Sequence, residues 1–264
     1  LDPSVGTDIL SSFHSSIHMS GTLEPLEEYR DSMGLSSSTE LVSYPSPFPK
    51  KNRRVFFVKD VTTKYSDIIK NEDIIDKMVK YLEDICNSFP KNTMVFFPSF
   101  NVMSMFRRNG ILSNLDRCVY LEEQKMSQSA LMDLVSNFKE HGNNSSESAA
   151  LFSVMGGRIS EGMDFPAEEL EIAVIVGIPY PKPTARQKGL RRYYDLKFNK
   201  GWEYTVEAPT ARKLLQSIGR LIRDENDRGV VVILDRRVTR FKRYIRDIKE
   251  SKNLLEDIKD FMKE

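Results

Sequence analysis

The sequence has few of the residues that build metal sites or disulfide scaffolds. Its 264 residues contain two cysteines, Cys86 and Cys118, and three histidines without ligand spacing. These are too few for a zinc or iron–sulfur site. We expect both cysteines to be buried free thiols in a reducing compartment. The sequence therefore predicts no metal site within this chain.

Segments typical of secretion, membrane insertion and nucleotide binding are absent as well. No apolar run approaches the ~20 residues of a membrane span. The first residues, LDPSVGTDIL, lack the basic and apolar regions of a signal peptide. No G-x-x-x-x-G-K-[ST] segment occurs, so the usual phosphate-binding loop and its lysine are missing. The missing initial methionine suggests a fragment of a longer protein.

Short apolar runs alternate with amphipathic stretches along the chain. Several runs are unbroken, which is typical of strands buried on both faces of a parallel sheet. This rhythm predicts an α/β fold: a doubly wound, mostly parallel sheet with flanking helices, in one domain over 1–264 with a small helical elaboration at about 182–210. The predicted helices cover 72–87 and 127–140, and the predicted strands cover 16–20, 54–58, 93–97, 118–122, 151–155, 172–178 and 230–235.

The stretch 208–227 combines apolar and basic residues at helical spacing. On one continuous helix its apolar residues share one face, and the opposite face carries Arg212, Gln216, Gly219, Arg220 and Arg223. Arginine forks grip phosphate oxygens, so this face suits a nucleotide triphosphate. Arg220 would extend toward a neighbouring domain without disturbing its own fold. A solvated helix face paired with the acids that follow is the open alternative.

A glycine-rich loop follows the predicted strand 151–155. Ligands of open α/β sheets bind at the carboxyl ends of the strands, where this loop would lie. Gly156 and Gly157 would let backbone N–H groups approach a phosphate, and Asp164 would accept from a ribose hydroxyl or hold a water. An ordinary glycine-rich turn with a capping aspartate is the alternative.

Two polar turns precede predicted helices. Ser20, Gly21 and Thr22 follow one predicted strand, with Pro25 opening a helix. Ser99 follows another strand and caps the next helix. At Ser99, a helix N-terminus with a free hydroxyl can bind one DNA phosphate. Simple helix caps are the alternative.

The stretch 182–200 holds seven basic residues and one acid, although the whole chain has a net charge of only +1. Any nucleic-acid surface must therefore be local. Tyr180, Tyr193, Tyr194 and Phe198 are interleaved with the basic residues. Basic side chains beside aromatic rings that stack on bases are typical of single-strand binding. A solvated helix with buried tyrosines is the alternative.

Together and in this order, these segments resemble the second motor domain of XPD-type (xeroderma pigmentosum D) superfamily 2 DNA helicases. MSGTLEPLEEY resembles the family's SGTL segment, MVFFPSF its motif IV, GGRISEGMDFP its motif V, and QSIGRLIRDENDRGVVVILDRR its motif VI with the following strand. VGIPYPKPTARQKGLRRYYD is similar to the family's stretch between motifs V and VI. The resemblance implies a RecA-like fold and ATP-driven 5′→3′ translocation on single-stranded DNA, with a role in DNA repair.

The resemblance also implies a role for each group of residues. Arg220 and Arg223 of motif VI would reach the γ-phosphate across a domain interface, with Gln216 beside them. Nucleotide binding and its coupling to DNA would involve Gly157, Glu161, Gly162, Asp164 and Gly219, assisted by Ser20, Gly21 and Thr22. The residues facing DNA would be Ser99, Arg186, Lys188, Arg191, Arg192 and Tyr193.

The same resemblance implies that the first motor domain lies outside this chain. That domain would carry the phosphate-binding loop, the Mg²⁺-binding acids and a four-cysteine iron–sulfur cluster. ATP and Mg²⁺ would then be shared, and this chain alone would be inactive. We expect a monomer that binds single-stranded DNA and the first motor domain but no membrane, cytoplasmic in a prokaryote or archaeon and nuclear in a eukaryote. The alternative is a DNA-binding or adaptor module that keeps the fold and has lost the motor.

Overall fold

The computed structural model describes residues 3–71, 73–143 and 147–263. Contacts divide the chain into two compact units. The larger unit contains Pro47–Pro179 and Gln216–Glu264, and the smaller contains Leu1–Ser46 and Tyr180–Leu215. The sequence predicted one domain over 1–264. This division into compact units does not test that prediction, which stays a prediction.

A parallel sheet forms the centre of the larger unit. Over the described residues it has seven strands in the order β3-β4-β2-β5-β6-β1-β7, and every neighbouring pair is parallel. The predicted doubly wound α/β fold is therefore confirmed. The strands are β1 (Arg53–Phe57), β2 (Thr93–Phe97), β3 (Cys118–Leu121), β4 (Ala149–Val154), β5 (Ile172–Ile175), β6 (Gly229–Ile233) and β7 (Ile248–Glu250).

Burial explains the unbroken apolar runs and the helical periodicity. Every residue of β2, β4, β5 and β6 is buried, as expected for strands whose two faces are both covered. The two predicted helices are also present, with bounds within three residues of those expected. The helices are α1 (Ser4–Thr7), α2 (Leu26–Ser32), α3 (Tyr65–Ile68), α4 (Asp73–Ser88), α5 (Phe100–Arg108), α6 (Gln128–Asn143), α7 (Arg158–Gly162), α8 (Ala185–Phe198), α9 (Ala208–Ile218) and α10 (Leu254–Lys263).

Two strand predictions differ from the structure. Residues 16–20 form no strand, and Ile17 and Met19 are each 87% exposed. A strand needs a neighbour for its backbone hydrogen bonds, and the described residues supply none there. Conversely, β7 escaped prediction because its three residues, IKE, are mostly polar; it pairs with β1 at the edge of the sheet.

The two cysteines have opposite surroundings. Cys86 is a buried free thiol, as predicted, and this burial raises the pKa of its thiol to about 11. Cys118 is exposed, so the prediction of burial was wrong for it. It begins β3, which in the part of the sheet that the structure describes is an edge strand and pairs with β4 alone.

The helical elaboration predicted at about 182–210 is helical and lies in the smaller unit. It consists of α8, a short π-helix at Glu203–Glu207 and the first turns of α9. Helix α9 continues past Leu215 and so runs from the smaller unit into the larger one. Across the described part of the chain, every helix is too short or too polar to span a membrane.

Candidate functional site

The glycine-rich loop follows β4, as the sequence predicts. Gly156 has a positive φ of 73°, a conformation that favours glycine. Gly157 precedes α7, and a Cβ there would lie 2.8 Å from the carbonyl oxygen of Val154 and 3.0 Å from Oε1 of Glu122. Only glycine fits this second position without displacing its neighbours.

Glu122 holds the start of this loop, and the sequence reasoning missed it. The residue follows β3 and is 3% exposed. Its Oε2 accepts hydrogen bonds from Oγ of Ser153 at 2.7 Å and from the backbone N–H of Val154 at 3.1 Å. An acid directly after a predicted strand is the signal that would have marked it, but the sequence LEEQK looks like a solvated turn.

The stretch 208–227 is not one helix, so the predicted helix face was wrong. Helix α9 ends at Ile218, and a turn follows. Asp227, which is 2% exposed, closes this turn. One of its carboxylate oxygens accepts from the backbone N–H groups of Arg223 and Asp224 at 2.6 and 2.7 Å. Its other oxygen accepts from the N–H of Ala167 at 2.8 Å. In this turn a buried side-chain carboxylate, and not a backbone carbonyl of a helix, accepts from the N–H groups of Arg223 and Asp224.

The turn after α9 brings both arginines to the loop that follows β4. Nη2 of Arg223 lies 2.9 Å from Oδ1 of Asp164, and Nη1 of Arg220 lies 3.7 Å from the same oxygen. Nη1 of Arg220 also donates to the carbonyl oxygen of Met163 at 2.8 Å. The segments that resemble motifs V and VI therefore meet within the larger unit, at an aspartate and two arginines.

The three charged side chains differ in exposure. Arg220 is 11% exposed, Arg223 is 38% exposed and Asp164 is 73% exposed. The expectation that Arg220 extends freely from its own fold was wrong, because its guanidinium is buried against the backbone of Met163. Arg223 is the arginine that solvent, or an approaching anion, can reach.

The other residues predicted to bind nucleotide lie close in sequence to Asp164, Arg220 or Arg223. Gln216 lies half-buried in the last turn of α9, and Gly219 is half-buried in the turn beyond it. Gly162, at the end of α7, is exposed. The side chain of Glu161 lies outside the described part of the structure. In the ranges that the structure describes, no three His, Cys, Asp or Glu side chains are grouped to hold a metal ion.

The predicted Ser20–Gly21–Thr22 turn lies in the smaller unit. The backbone N–H of Thr22 donates to Oγ of Ser20 at 3.2 Å, and the two hydroxyl oxygens are 3.4 Å apart. Gly21 is exposed. Helix α2 begins at Leu26, one residue after the predicted Pro25. The turn is polar and accessible, which a coupling role requires.

Arg212 does not share a face with the two arginines of the turn. Its guanidinium pairs with the carboxylate of Glu28, which is buried at 6% exposure, and donates to the carbonyl oxygen of Leu23 at 3.3 Å. Oγ of Ser32 donates to the other oxygen of Glu28 at 2.7 Å. Arg212 therefore joins α9 to α2 within the smaller unit.

The basic helix predicted to face DNA is α8. Oγ1 of Thr184 caps it by accepting from the N–H of Gln187 at 3.2 Å. Its aromatic residues pack inward: Tyr194 is 4% exposed, and its ring centroid lies 5.1 Å from that of the half-buried Tyr193. The buried-tyrosine alternative thus holds for Tyr194. The basic residues Arg186, Lys188, Arg191 and Arg192 are all exposed.

Ser99 caps α5, as predicted. It follows the carboxyl end of β2, and its Oγ accepts from the N–H of Val102 at 3.4 Å. The residue is half-buried, at the edge of the sheet where the parallel strands end. This position is compatible with a phosphate contact as well as with the capping role.

Sequence comparisons identify similar proteins. Residues 82–252 match the helicase C-terminal domain family, and residues 1–67 match the helical and beta-bridge domain family. The chain is 27% identical to the ATP-dependent DNA helicase CHL1 of Scheffersomyces stipitis, over 99% of this chain and 35% of the relative. It is 32% identical to a probable ATP-dependent helicase of Methanocaldococcus jannaschii, over 88% of this chain and 37% of the relative.

Solved structures show the same similarity in three dimensions. An XPD helicase structure superposes with a TM-score of 0.71 at 25% identity, over 94% of this chain and 45% of the other. This match confirms the predicted RecA-like fold. The present chain spans only about a third of the length of the curated relatives it matches.

Proposed function

Because this chain belongs to the helicase C-terminal domain family, in its XPD type, we propose that it works as the second motor domain of an ATP-dependent 5′→3′ DNA helicase that serves DNA repair. One observation carries the proposal: Arg223 and Arg220 converge on Asp164. An exposed arginine that is paired with an exposed carboxylate can exchange that carboxylate for a phosphate oxygen.

We assign the two arginines different tasks. Arg223, with 38% exposure, is the residue that reaches the γ-phosphate of ATP held by a first motor domain. Arg220, bonded to the carbonyl oxygen of Met163, positions the turn. The sequence-based assignment gave the γ-phosphate to Arg220; we prefer Arg223 because Arg220 is only 11% exposed and already donates to the carbonyl oxygen of Met163.

The chemistry of this step is electrostatic. ATP and its Mg²⁺, when bound by the first motor domain, supply the phosphoryl group and neutralise part of its charge. Arg223 stabilises the charge that develops on the phosphoryl oxygens, an effect worth about 10³–10⁵ in rate in related NTPases. Asp164 holds the guanidinium in place until the nucleotide arrives. The backbone next to this site is formed in part by Gly157, Glu161, Gly162 and Gly219.

Nucleotide binding would be coupled to DNA through the segments that flank this site. Closure on ATP and reopening after hydrolysis would move this domain relative to the first one. The Ser20–Gly21–Thr22 turn would sense the first domain, while Ser99 and the exposed basic residues of α8 would hold single-stranded DNA. An iron–sulfur cluster would belong to the first domain.

This chain alone is expected not to hydrolyse ATP. It has an arginine for the γ-phosphate but no G-x-x-x-x-G-K-[ST] loop to bind the nucleotide. Phosphate release should stay at background with and without single-stranded DNA. Turnover that purifies with the chain and disappears in Arg223→Ala would contradict the shared-site proposal.

The chain should bind single-stranded DNA with a steep dependence on salt. Each phosphate contact contributes about 0.7 to the slope of log K against log [salt]. Arg191→Ala/Arg192→Ala removes two exposed guanidinium groups of α8 and should lower the slope by about 1.4, measured by anisotropy of a labelled oligothymidylate. The charge-matched control is Lys80→Ala/Lys259→Ala, on two exposed lysines outside this helix. An equal slope in both variants would remove α8 from the DNA path.

A further inference from the structure

The glycine-rich loop that leads from β4 to the two arginines is held at three places. Glu122 binds the end of β4, where the loop starts. Further along, Nη2 of Arg158 donates to the carbonyl oxygen of Met126 at 2.6 Å. At the far end, Nη1 of Arg220 donates to the carbonyl oxygen of Met163 at 2.8 Å. Two of these partners, Glu122 and Met126, belong to the connection between β3 and α6, which has no role in the function proposed above.

Glu122 is a buried acid of this connection. It is 3% exposed, whereas the neighbouring Glu123 is exposed. A buried carboxylate needs hydrogen-bond donors around it. Its Oε2 finds them in the last two residues of β4, Ser153 and Val154. The N–H of Glu122 in turn donates to the carbonyl oxygen of Phe152 at 2.9 Å, so strand pairing fixes the residue that holds the loop.

The same carboxylate lies against the second glycine of the loop. A Cβ at Gly157 would lie 3.0 Å from one carboxylate oxygen of Glu122 and 3.3 Å from the other. The N–H of Gly157 donates to the carbonyl oxygen of Val154 at 2.9 Å, which closes the turn. The carboxylate therefore determines both where β4 ends and how closely the loop passes it.

We propose that Glu122 is a positioning residue of the motor, which acts through the end of β4 to place the loop that carries Asp164 against Arg223. This inference rests on the proposed function of that site. A displacement of about 1 Å at a catalytic group can cost about 10²-fold in rate, so the start of the loop must be fixed. Because Oε2 alone accepts both hydrogen bonds, the amide oxygen of a glutamine can accept them too, whereas an alanine can accept neither.

Asn92 offers a matched control, because it holds the opposite end of the same strand. It is 1% exposed, and its Oδ1 accepts from the N–H of Ala149, the first residue of β4, at 2.9 Å. Its amide nitrogen donates to the carbonyl oxygens of Phe138 and Glu169 at 2.9 and 3.1 Å. Asn92→Ala therefore removes a buried hydrogen-bonding group from β4 at the end away from the loop.

Hydrogen exchange of the chain by itself, followed by mass spectrometry of its peptides, tests the positioning. Glu122→Ala is expected to speed exchange about tenfold or more over 154–160, because the loop loses its first hydrogen bonds. Glu122→Gln should stay within about twofold of the parent there, and Asn92→Ala should speed exchange near 149 instead. Ser153→Ala removes one of the two bonds and replaces Glu122→Ala if that variant does not fold.

Steady-state ATP hydrolysis, in a protein that joins this chain to a first motor domain, tests the consequence for the motor. Glu122→Ala is expected to lower the DNA-stimulated kcat about tenfold or more. The KM for ATP should change by less than about twofold, since the first domain binds the nucleotide. Glu122→Gln should keep most of the kcat. Asn92→Ala should keep both constants below its thermal midpoint, although both alanine variants lower that midpoint.

Three results would overturn the inference and leave the proposed function standing. They are equal losses of kcat in Glu122→Ala and Asn92→Ala, equal losses in Glu122→Ala and Glu122→Gln, and loop exchange that Glu122→Ala does not change. A joined parent protein without DNA-stimulated hydrolysis would instead overturn the proposed function, and this inference with it.

Discussion

Replacing Arg223 with alanine, in a protein that joins this chain to a first motor domain, is expected to lower DNA-stimulated ATP hydrolysis by about 10³-fold or more. The side chain is 38% exposed, and it pairs with the exposed Asp164. Its removal should leave folding intact, because exposed substitutions usually cost within about 0.5 kcal/mol of stability. Nucleotide-free binding of single-stranded DNA should be unchanged, because this residue is assigned to the phosphate. The measurement is steady-state phosphate release with saturating DNA.

Two further variants separate chemistry from structure at this site. Arg223→Lys should restore little activity, because a point charge does not replace a planar fork. Arg220→Ala should lower both activity and the thermal midpoint, since Arg220 is buried and donates to the carbonyl oxygen of Met163. An Arg223→Ala protein that kept its ATPase but lost DNA affinity would assign this arginine to the DNA groove instead.

Asp235→Ala is expected to lower the free energy of unfolding of the larger unit by about 3–5 kcal/mol, the usual cost of removing one partner of a buried ion pair. Asp235 is fully buried at the carboxyl end of β6. Its carboxylate accepts from Oγ1 of Thr62 at 3.1 Å and from the N–H of Thr63 at 2.8 Å. It also binds the guanidinium of Arg237, with an N–O distance of 2.7 Å. Its loss would leave the buried hydroxyl of Thr62 and the half-buried donors of Thr63 and Arg237 without this acceptor.

Urea unfolding followed by far-ultraviolet circular dichroism measures this effect. Asp84→Ala is the control, because it removes the same group from a surface pair with Lys80, and such pairs contribute about 0–1 kcal/mol. Asp235→Asn should fall between the two, since an amide oxygen can still accept but carries no charge. Equal midpoints for Asp235→Ala and Asp84→Ala would mean that other contacts already fix the ends of β1 and β6.

The sequence by itself determined the sheet and its main helices. The runs at 93–97, 151–155 and 230–235 match β2, β4 and β6 to within two residues at each end, because a strand buried on both faces requires apolar residues at consecutive positions. Helix α4 followed from its apolar periodicity. The motif segments were also visible locally: glycines after a strand, and arginines at helical spacing, are patterns that can be read without knowledge of the fold.

Only the tertiary structure decided what each charged side chain contacts. Helical periodicity extended α9 through 227, but α9 ends at Ile218, and in the turn beyond it the buried carboxylate of Asp227 binds the N–H groups of Arg223 and Asp224. Arg212 was grouped with the other arginines, yet it pairs with Glu28, far away in sequence. Spacing along a chain fixes which face of a helix a residue occupies. The carboxylate that pairs with a guanidinium depends on which segments packing brings together. For this reason the difference in exposure between Arg223 and Arg220 is seen only in the folded protein.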